Sequence, residues 1–267
     1  MNPYDLLDQL KSGPYFKYIR DLKAVFEQRP QAELLHKVYT PDKLAVPAYK
    51  FDGYDAIKTS SQKAELIAAW LESRYAKLTQ YAELQLEFTR FLTGADDCYA
   101  IPTSFGPPNQ ETMLIRDQLA YLINYGFLTW DSQPGVLVDM DSGPSYLQRP
   151  YVYISAASDD MARLLTTLSQ VQYHARPAVL LADLFAVYEP LKLRYDLQYV
   201  TAGEGLGPKV YLARYVASLQ LQKELAGHAL VVLVAAEWYL PFFTILASAA
   251  AGTVLDLSKI EEWLTRY

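Results

Sequence analysis

The residues of this chain best suited to polar recognition cluster around two turns. Ser132, Gln133, Pro134 and Gly135 form a Ser-Gln-Pro-Gly run, and Gln148-Arg149 follows a second turn at Gly143-Pro144. Arg149 carries a planar guanidinium fork that matches anionic groups in two-point contact. Ser132, Gln133 and Gln148 add donors and acceptors, so these four side chains make a candidate ligand site. The same residues also suit an ordinary β-hairpin, because Pro134-Gly135 fits the two central positions of a type II turn. A strand over Gly135 to Asp139 would hold the two turns apart by about 13 to 16 Å at roughly 3.3 Å per residue. Convergence therefore requires the chain between Asp139 and Gln148 to double back, which Gly143-Pro144 permits.

The other candidates are less specific. Asp139, Asp141 and Ser142 offer hard oxygens to a divalent cation, but an acidic turn before Gly143-Pro144 explains them without one. Gly203, Gly205 and Gly207 match neither phosphate-loop spacing, and Pro208 lacks a backbone N–H that a cradle would use. His36, His174 and His228 have no ligand spacing, and with the single Cys98 they assemble no zinc site. Cys98 stands beside Asp96 and Asp97, a field that disfavours its thiolate. Glu237, inside an apolar run, is the carboxylate most exposed to perturbation by burial. No catalytic constellation and no cofactor motif emerges, so catalytic residues stay unassigned and whether the chain is an enzyme stays open.

The segment from Leu119 to Ser155 resembles a family of uncharacterised proteins found in actinobacteria and some large DNA viruses. The likeness rests on Asn124, Gly126, Phe127, Thr129, Ser132, Gln133, Pro134, Gly135, Gln148 and Arg149. It covers about 50 residues, with Glu237-Trp238 matching a further Glu-Trp pair of the family. Pro150 stands where the family has a small residue. The resemblance implies no particular activity, only that the turn cluster is more than a hairpin.

The elements that must position these residues follow from periodicity. Asn2 with Pro3 starts a short helix that Gly13-Pro14 stops, and a second carries Tyr15, Tyr18, Ile19, Leu22, Val25 and Phe26 up to Arg29-Pro30. Residues 30–58 form a long connection. Thr59 with Gln62 makes a capping box for a long helix running to Gly94, although Leu84 and Leu86 fall off its apolar stripe and predict contacts on more than one side. Asn109 caps the next helix, and Gly126 is placed to end it in the left-handed conformation with Phe127 folding back. Strands are expected at Gly135 to Asp139, Tyr151 to Ser155, Ala178 to Ala182, Leu197 to Thr201, Lys209 to Arg214 and Ala229 to Ala235. Helices are expected at Asp159 to Val171, Ala217 to Leu225, Pro241 to Ala250 and Lys259 to Arg266. Helices first, then strands mixed with helices and no regular βαβ repeat, describe an α+β fold. The chain reads as one domain, 1–267, with a helical lobe 1–106 and a mixed lobe 107–267 as the alternative division.

Composition bounds the partners. The chain has 267 residues, of which 51% are hydrophobic and 20% charged, and a net charge of -6. No window is dominated by Lys and Arg, which argues against nucleic acid as a partner. From Ala229 to Leu255 only Glu237 is charged, yet Pro241 and Gly252 interrupt the run. A buried strand followed by a buried helix is expected there in place of a membrane span. A lone cysteine and an N-terminus without a basic segment and apolar stretch suggest an intracellular, reducing compartment, cytoplasm or virion. The 22 tyrosines combine apolar rings with hydroxyls suited to interfaces. They point toward a protein partner or self-association. Two readings result: a non-enzymatic interaction or structural protein, as a component of a larger viral or cellular assembly, or an enzyme or small-ligand-binding protein with its polar site at Ser132, Gln133 and Arg149.

Overall fold

In the computed structural model the described residues are 59–95, 97–98, 100–102, 104–105, 108–138, 146–148, 150–171, 178–181, 215–235, 241–256 and 258. They contain six helices and eight strands, helices first and then strands mixed with helices, an α+β arrangement. The expected elements before Thr59, the strands at 197–201 and 209–214 and the helix at 259–266 lie outside the described residues.

Helix α1 (Ser60–Tyr75) begins at Thr59, whose side-chain oxygen accepts from the Gln62 N–H. The continuous apolar periodicity predicts one helix to Gly94, but the chain breaks at residues 76–80 and restarts as α2 (Tyr81–Thr93). A new N-terminus is viable there because the Glu83 carboxylate accepts from the backbone N–H groups of Thr79 at 2.7 Å and Gln80 at 3.0 Å. Those donors would otherwise be orphaned. Buried Leu78 plugs the corner. The break also sorts the two off-stripe leucines: Leu84 is fully buried, whereas Leu86 is 56% exposed. Gly94, at φ 71°, ends α2.

A two-residue ladder, β1 (Ala100–Ile101) with β2 (Ser104–Phe105), leads to α3 (Gln110–Asn124). Asn109 caps α3 by accepting from the Thr112 N–H at 2.7 Å. Its far end closes as the sequence predicts. Gly126 takes φ 95°, its N–H bonds Ile123 O, and the Phe127 N–H bonds Leu122 O, both at 3.0 Å. This is the Schellman pattern, and it drives Phe127 into the core with no exposure.

The central sheet is antiparallel, in the order β3 (Leu128–Gln133), β6 (Tyr151–Ala157), β8 (His228–Val234), β7 (Ala178–Leu181). Strand β3 is an edge strand with a bulge between Thr129 and Asp131. The extra residue, Trp130, packs edge-on to Phe88 of α2 at 5.3 Å and donates to Ser155 Oγ at 2.7 Å. A bulge thus turns a large side chain toward the helices, a common use of that irregularity. Beyond β6 comes α4 (Ser158–Ser169), with Asp159 and Asp160 in its first turn, where the helix dipole favours negative charge. Helix α5 (Leu219–Ala226) precedes β8.

The apolar run after residue 228 divides into a strand and a helix, as expected. Strand β8 is followed by α6 (Phe242–Ala250), every residue of which is buried, against α3 and α4 among others. A helix apolar all round belongs in a core. No helix among the described residues is long and apolar enough to cross a membrane.

Candidate functional site

The Ser-Gln-Pro-Gly run does not reverse the chain. Strand β3 passes through it into β4 (Val136–Val138), which pairs with β5 (Tyr146–Gln148), and β5 leads back into β6. The register is continuous: three steps along each strand from the Gln133↔Tyr151 pair reach Val136↔Gln148. Residues 128–157 are therefore one long antiparallel excursion with a bend where Gly135 meets Pro150. Gly135 has φ 102°, and a Cβ on it would stand 3.1 Å from the Pro150 ring. Only glycine suits that combination of left-handed backbone and close neighbour. The chain does double back as convergence requires, which places the Gln148 backbone opposite Val136.

Neighbouring residues of a regular strand point to opposite faces. Ser132 pairs with Val152 and Gln133 with Tyr151, so the two candidate side chains project from opposite faces of the sheet. The Gln133 amide is engaged, since its Nε2 donates to Glu111 Oε2 of α3 at 2.7 Å. That bond ties the end of β3 to the first turn of α3. On the same face, Tyr151 donates its hydroxyl to Asp131 Oδ2 at 3.0 Å. Asp131 is exposed as a residue, yet the protein crowded around its carboxyl desolvates it and raises its pKa above the ordinary value, against the hydrogen bonds from Tyr151 and Ser132. Arg149 lies outside the described residues, as do Glu237, His36, His174, the Asp139-Asp141-Ser142 string and the glycines near 205.

The sequence reading missed a larger ionic cluster between α1 and α2. Arg74 forks onto the buried Glu87 through Nε and Nη2 and reaches Asp97 Oδ2 at 3.3 Å, while Arg90 also binds Asp97. Arg74 to Glu87 spans the break between the helices, so a single-helix reading conceals the pair. Cys98 sits beneath it, and its thiol is pushed up to about 12, first by burial and then by Glu87. The thiol is raised in the direction expected from its acidic neighbours, but the chief cause is burial rather than the flanking aspartates. Such a thiol is protonated at neutral pH and unreactive. Among the described residues the buried Tyr75 hydroxyl has no hydrogen-bond partner.

A third polar corner forms where β8 begins. His228 is buried against Tyr81, with ring centroids 4.7 Å apart, and the Tyr81 hydroxyl donates to Gly126 O at 2.7 Å. Burial raises the Tyr81 phenol well above its usual value. Among the described residues no group of three or more His, Cys, Asp or Glu side chains could hold a metal ion.

The solvent side of α3 is different in kind. Tyr121 and Tyr125 stack at 4.8 Å, and the Tyr121 hydroxyl donates to that of Tyr125 at 3.2 Å. Tyr125 is 36% exposed. Desolvation, followed by the Tyr125 contact, lifts the Tyr121 phenol to about 12, so it stays neutral.

No curated protein matches the chain. Residues 76–175, from the break before α2 to just beyond α4, match the family described as "Domain of unknown function (DUF6919)".

Proposed function

We propose that this chain is a non-enzymatic interaction protein, a component of a larger viral or cellular assembly, which engages protein through the outer side of α3. The observation that carries this reading is the stacked Tyr121–Tyr125 pair held in solvent. Paired phenols present apolar area with little rotamer entropy to lose, and such rings anchor interfaces. The principal ionisable groups near the helices, Arg74, Glu87, Arg90 and Asp97, bind one another. That pattern suits a stabilising network.

The test is a native assembly of fixed stoichiometry, isolated with wild-type protein and with a Tyr121→Ser/Tyr125→Ser variant. The variant should keep its circular dichroism and lose the assembly. An assembly unchanged in the folded variant would overturn the reading.

The second reading is a small-ligand site about Ser132, Gln133, Gln148 and Arg149. It is favoured by the doubling back that sets Gln148 opposite Val136. The opposed faces of Ser132 and Gln133 leave such a site only one of these two side chains on either face of the sheet. Its mark would be a ligand whose binding Arg149→Ala and Gln133→Ala abolish without unfolding.

A further inference from the structure

We propose that Arg74 and Arg90 form a binding site for a phosphate group, in which the Asp97 carboxylate is an internal stand-in for the ligand. The inference goes beyond the interaction reading, uses no residue of the α3 face, and stands or falls separately from it.

The site lies where two helices end. Arg74 is in the last turn of α1 and Arg90 in the last turn of α2, positions at which the helix dipole favours a cation. The two guanidiniums use their edges differently. Arg74 turns the edge formed by Nε and Nη2 to Glu87, whose two oxygens fill it. Its other edge, Nη1 and Nη2, faces Asp97 Oδ2 at 3.3 Å from each nitrogen, and Nη1 also donates to Asp97 O at 3.1 Å. Arg90 donates from Nη2 to Asp97 Oδ1. In the rigid fork of a guanidinium, Nε shares that edge with Nη2. The Arg90 Nε is closed from solvent, yet it meets no acceptor among the described residues.

Asp97 therefore satisfies this pair incompletely. A carboxylate has two oxygens, and here one goes to each arginine. Neither edge is met in the two-point fashion that a guanidinium favours. The 3.3 Å contacts with Arg74 are long beside the ~2.7–2.9 Å of a charge-assisted bond. The stranded Nε–H of Arg90 carries the cost of an unmade hydrogen bond. A phosphate brings further oxygens: two fill the Nε–Nη2 edge of Arg90 while a third meets Arg74. Asp97 is able to give way, because its side chain is 55% exposed and an exposed ion pair contributes little. Glu87, buried and bound at two points, stays and keeps Arg74 aimed. With Asp97 displaced, the two guanidiniums outweigh the Glu87 carboxylate only modestly, so the Kd is on the order of millimolar.

The experiment follows the thermal midpoint of the full chain near neutral pH as inorganic phosphate replaces chloride at constant ionic strength. A ligand of the folded state raises that midpoint with its concentration. Wild type should respond to phosphate. Asp97→Asn, which removes the competing charge, should bind it about fivefold more tightly. Arg90→Gln should lose the response, and Arg90→Lys, which folds with the charge kept but the fork removed, should bind about tenfold more weakly. Arg116→Gln, which alters an exposed arginine of α3, should bind as wild type does. The Nε–H resonance of Arg90 should shift on adding phosphate while that of Arg116 stays, a readout independent of stability. Phenyl phosphate, run in parallel, separates two sources of the group. Binding equal to or weaker than that of inorganic phosphate marks a site for the free anion, and tighter binding marks one for a phosphate carried on an organic molecule. No response of Asp97→Asn beyond that in chloride, binding by Arg90→Lys equal to wild type, or an Arg90 Nε–H resonance indifferent to phosphate would overturn the inference.

Discussion

Glu87→Gln tests whether the ionic cluster sets both the stability of the helix pair and the state of Cys98. Glu87 is 8% exposed and takes two bonds from Arg74, whose side chain is 23% exposed. Removing one partner of a fully buried pair costs about 3–5 kcal/mol, because the other charge is stranded. An exposed pair contributes about 0–1 kcal/mol. Arg74 would keep Asp97 and some water, so the loss should fall between these limits, at about 2 kcal/mol. Asp97→Asn is the control. Its side chain is 55% exposed, and the loss should stay below about 1 kcal/mol. Chemical denaturation followed by ellipticity measures both. The variant also removes the negative charge that helps hold the Cys98 thiol up, so the thiol titration should move down in Glu87→Gln. Because Cys98 is the only cysteine in the chain, thiol labelling against pH reports on that site alone. Equal losses for the two variants, or a thiol titration that does not move, would refute the assignment of the buried pair as the principal tie.

Gly126→Ala forces a Cβ into φ 95° and should lower stability by on the order of 1 kcal/mol, read as a shifted denaturation midpoint. The Cβ itself would meet only Asp160 Oδ2 at 3.6 Å, so backbone strain rather than a clash is the cause. Tyr75→Phe removes a buried hydroxyl that has no partner among the described residues and should be neutral or stabilising by up to about 1 kcal/mol. A loss larger than that in thermal melts would mean that the hydroxyl has a partner in solution. Asp97 is held below the ordinary carboxylate range, first by its bond from Arg90 and also by Arg74, and Glu83 by backbone bonds from Thr79 and Gln80. A depressed folded pKa gives stability that is present above the unfolded value of about 4 and lost as pH falls through the folded one. Acid titration should therefore destabilise wild type below about pH 4, and less so Asp97→Asn. An identical acid profile for the two would contradict the ion pair.

Local signals in the sequence foretold much of the framework. Thr59 and Asn109 start their helices and Gly94 and Gly126 end theirs, because each of these roles depends on a side-chain acceptor or a missing Cβ within a few residues. The strand and helix of the apolar run after residue 228 were legible from β-branching and Pro241. The break at residues 76–80 was not, because apolar periodicity persists through it. The capping of Gln80 by Glu83 was its only local sign. The Ser-Gln-Pro-Gly run fits a type II turn by its local residues, and Gly135 does adopt a positive φ, but the pairing of β4 with β5 makes it a bend in a longer ladder. Long-range pairing decided that point, and no window of sequence contains it. Of the four candidate site residues, the structure engages Gln133 with Glu111, sets Ser132 on the other face and brings Gln148 opposite Val136. The solvent pair on α3 was foreshadowed only by the abundance of tyrosine.

The central claim is that the α3 face makes contact with protein. Hydroxyl-radical footprinting of the native assembly, compared with the separated chain, tests it most directly because the phenol rings of Tyr121 and Tyr125 are the modified groups. The account predicts that both rings are oxidised in the separated chain and protected in the assembly, while exposed Leu219 on α5 stays equally reactive in both. Tyr121 and Tyr125 fully reactive within an intact assembly would contradict it.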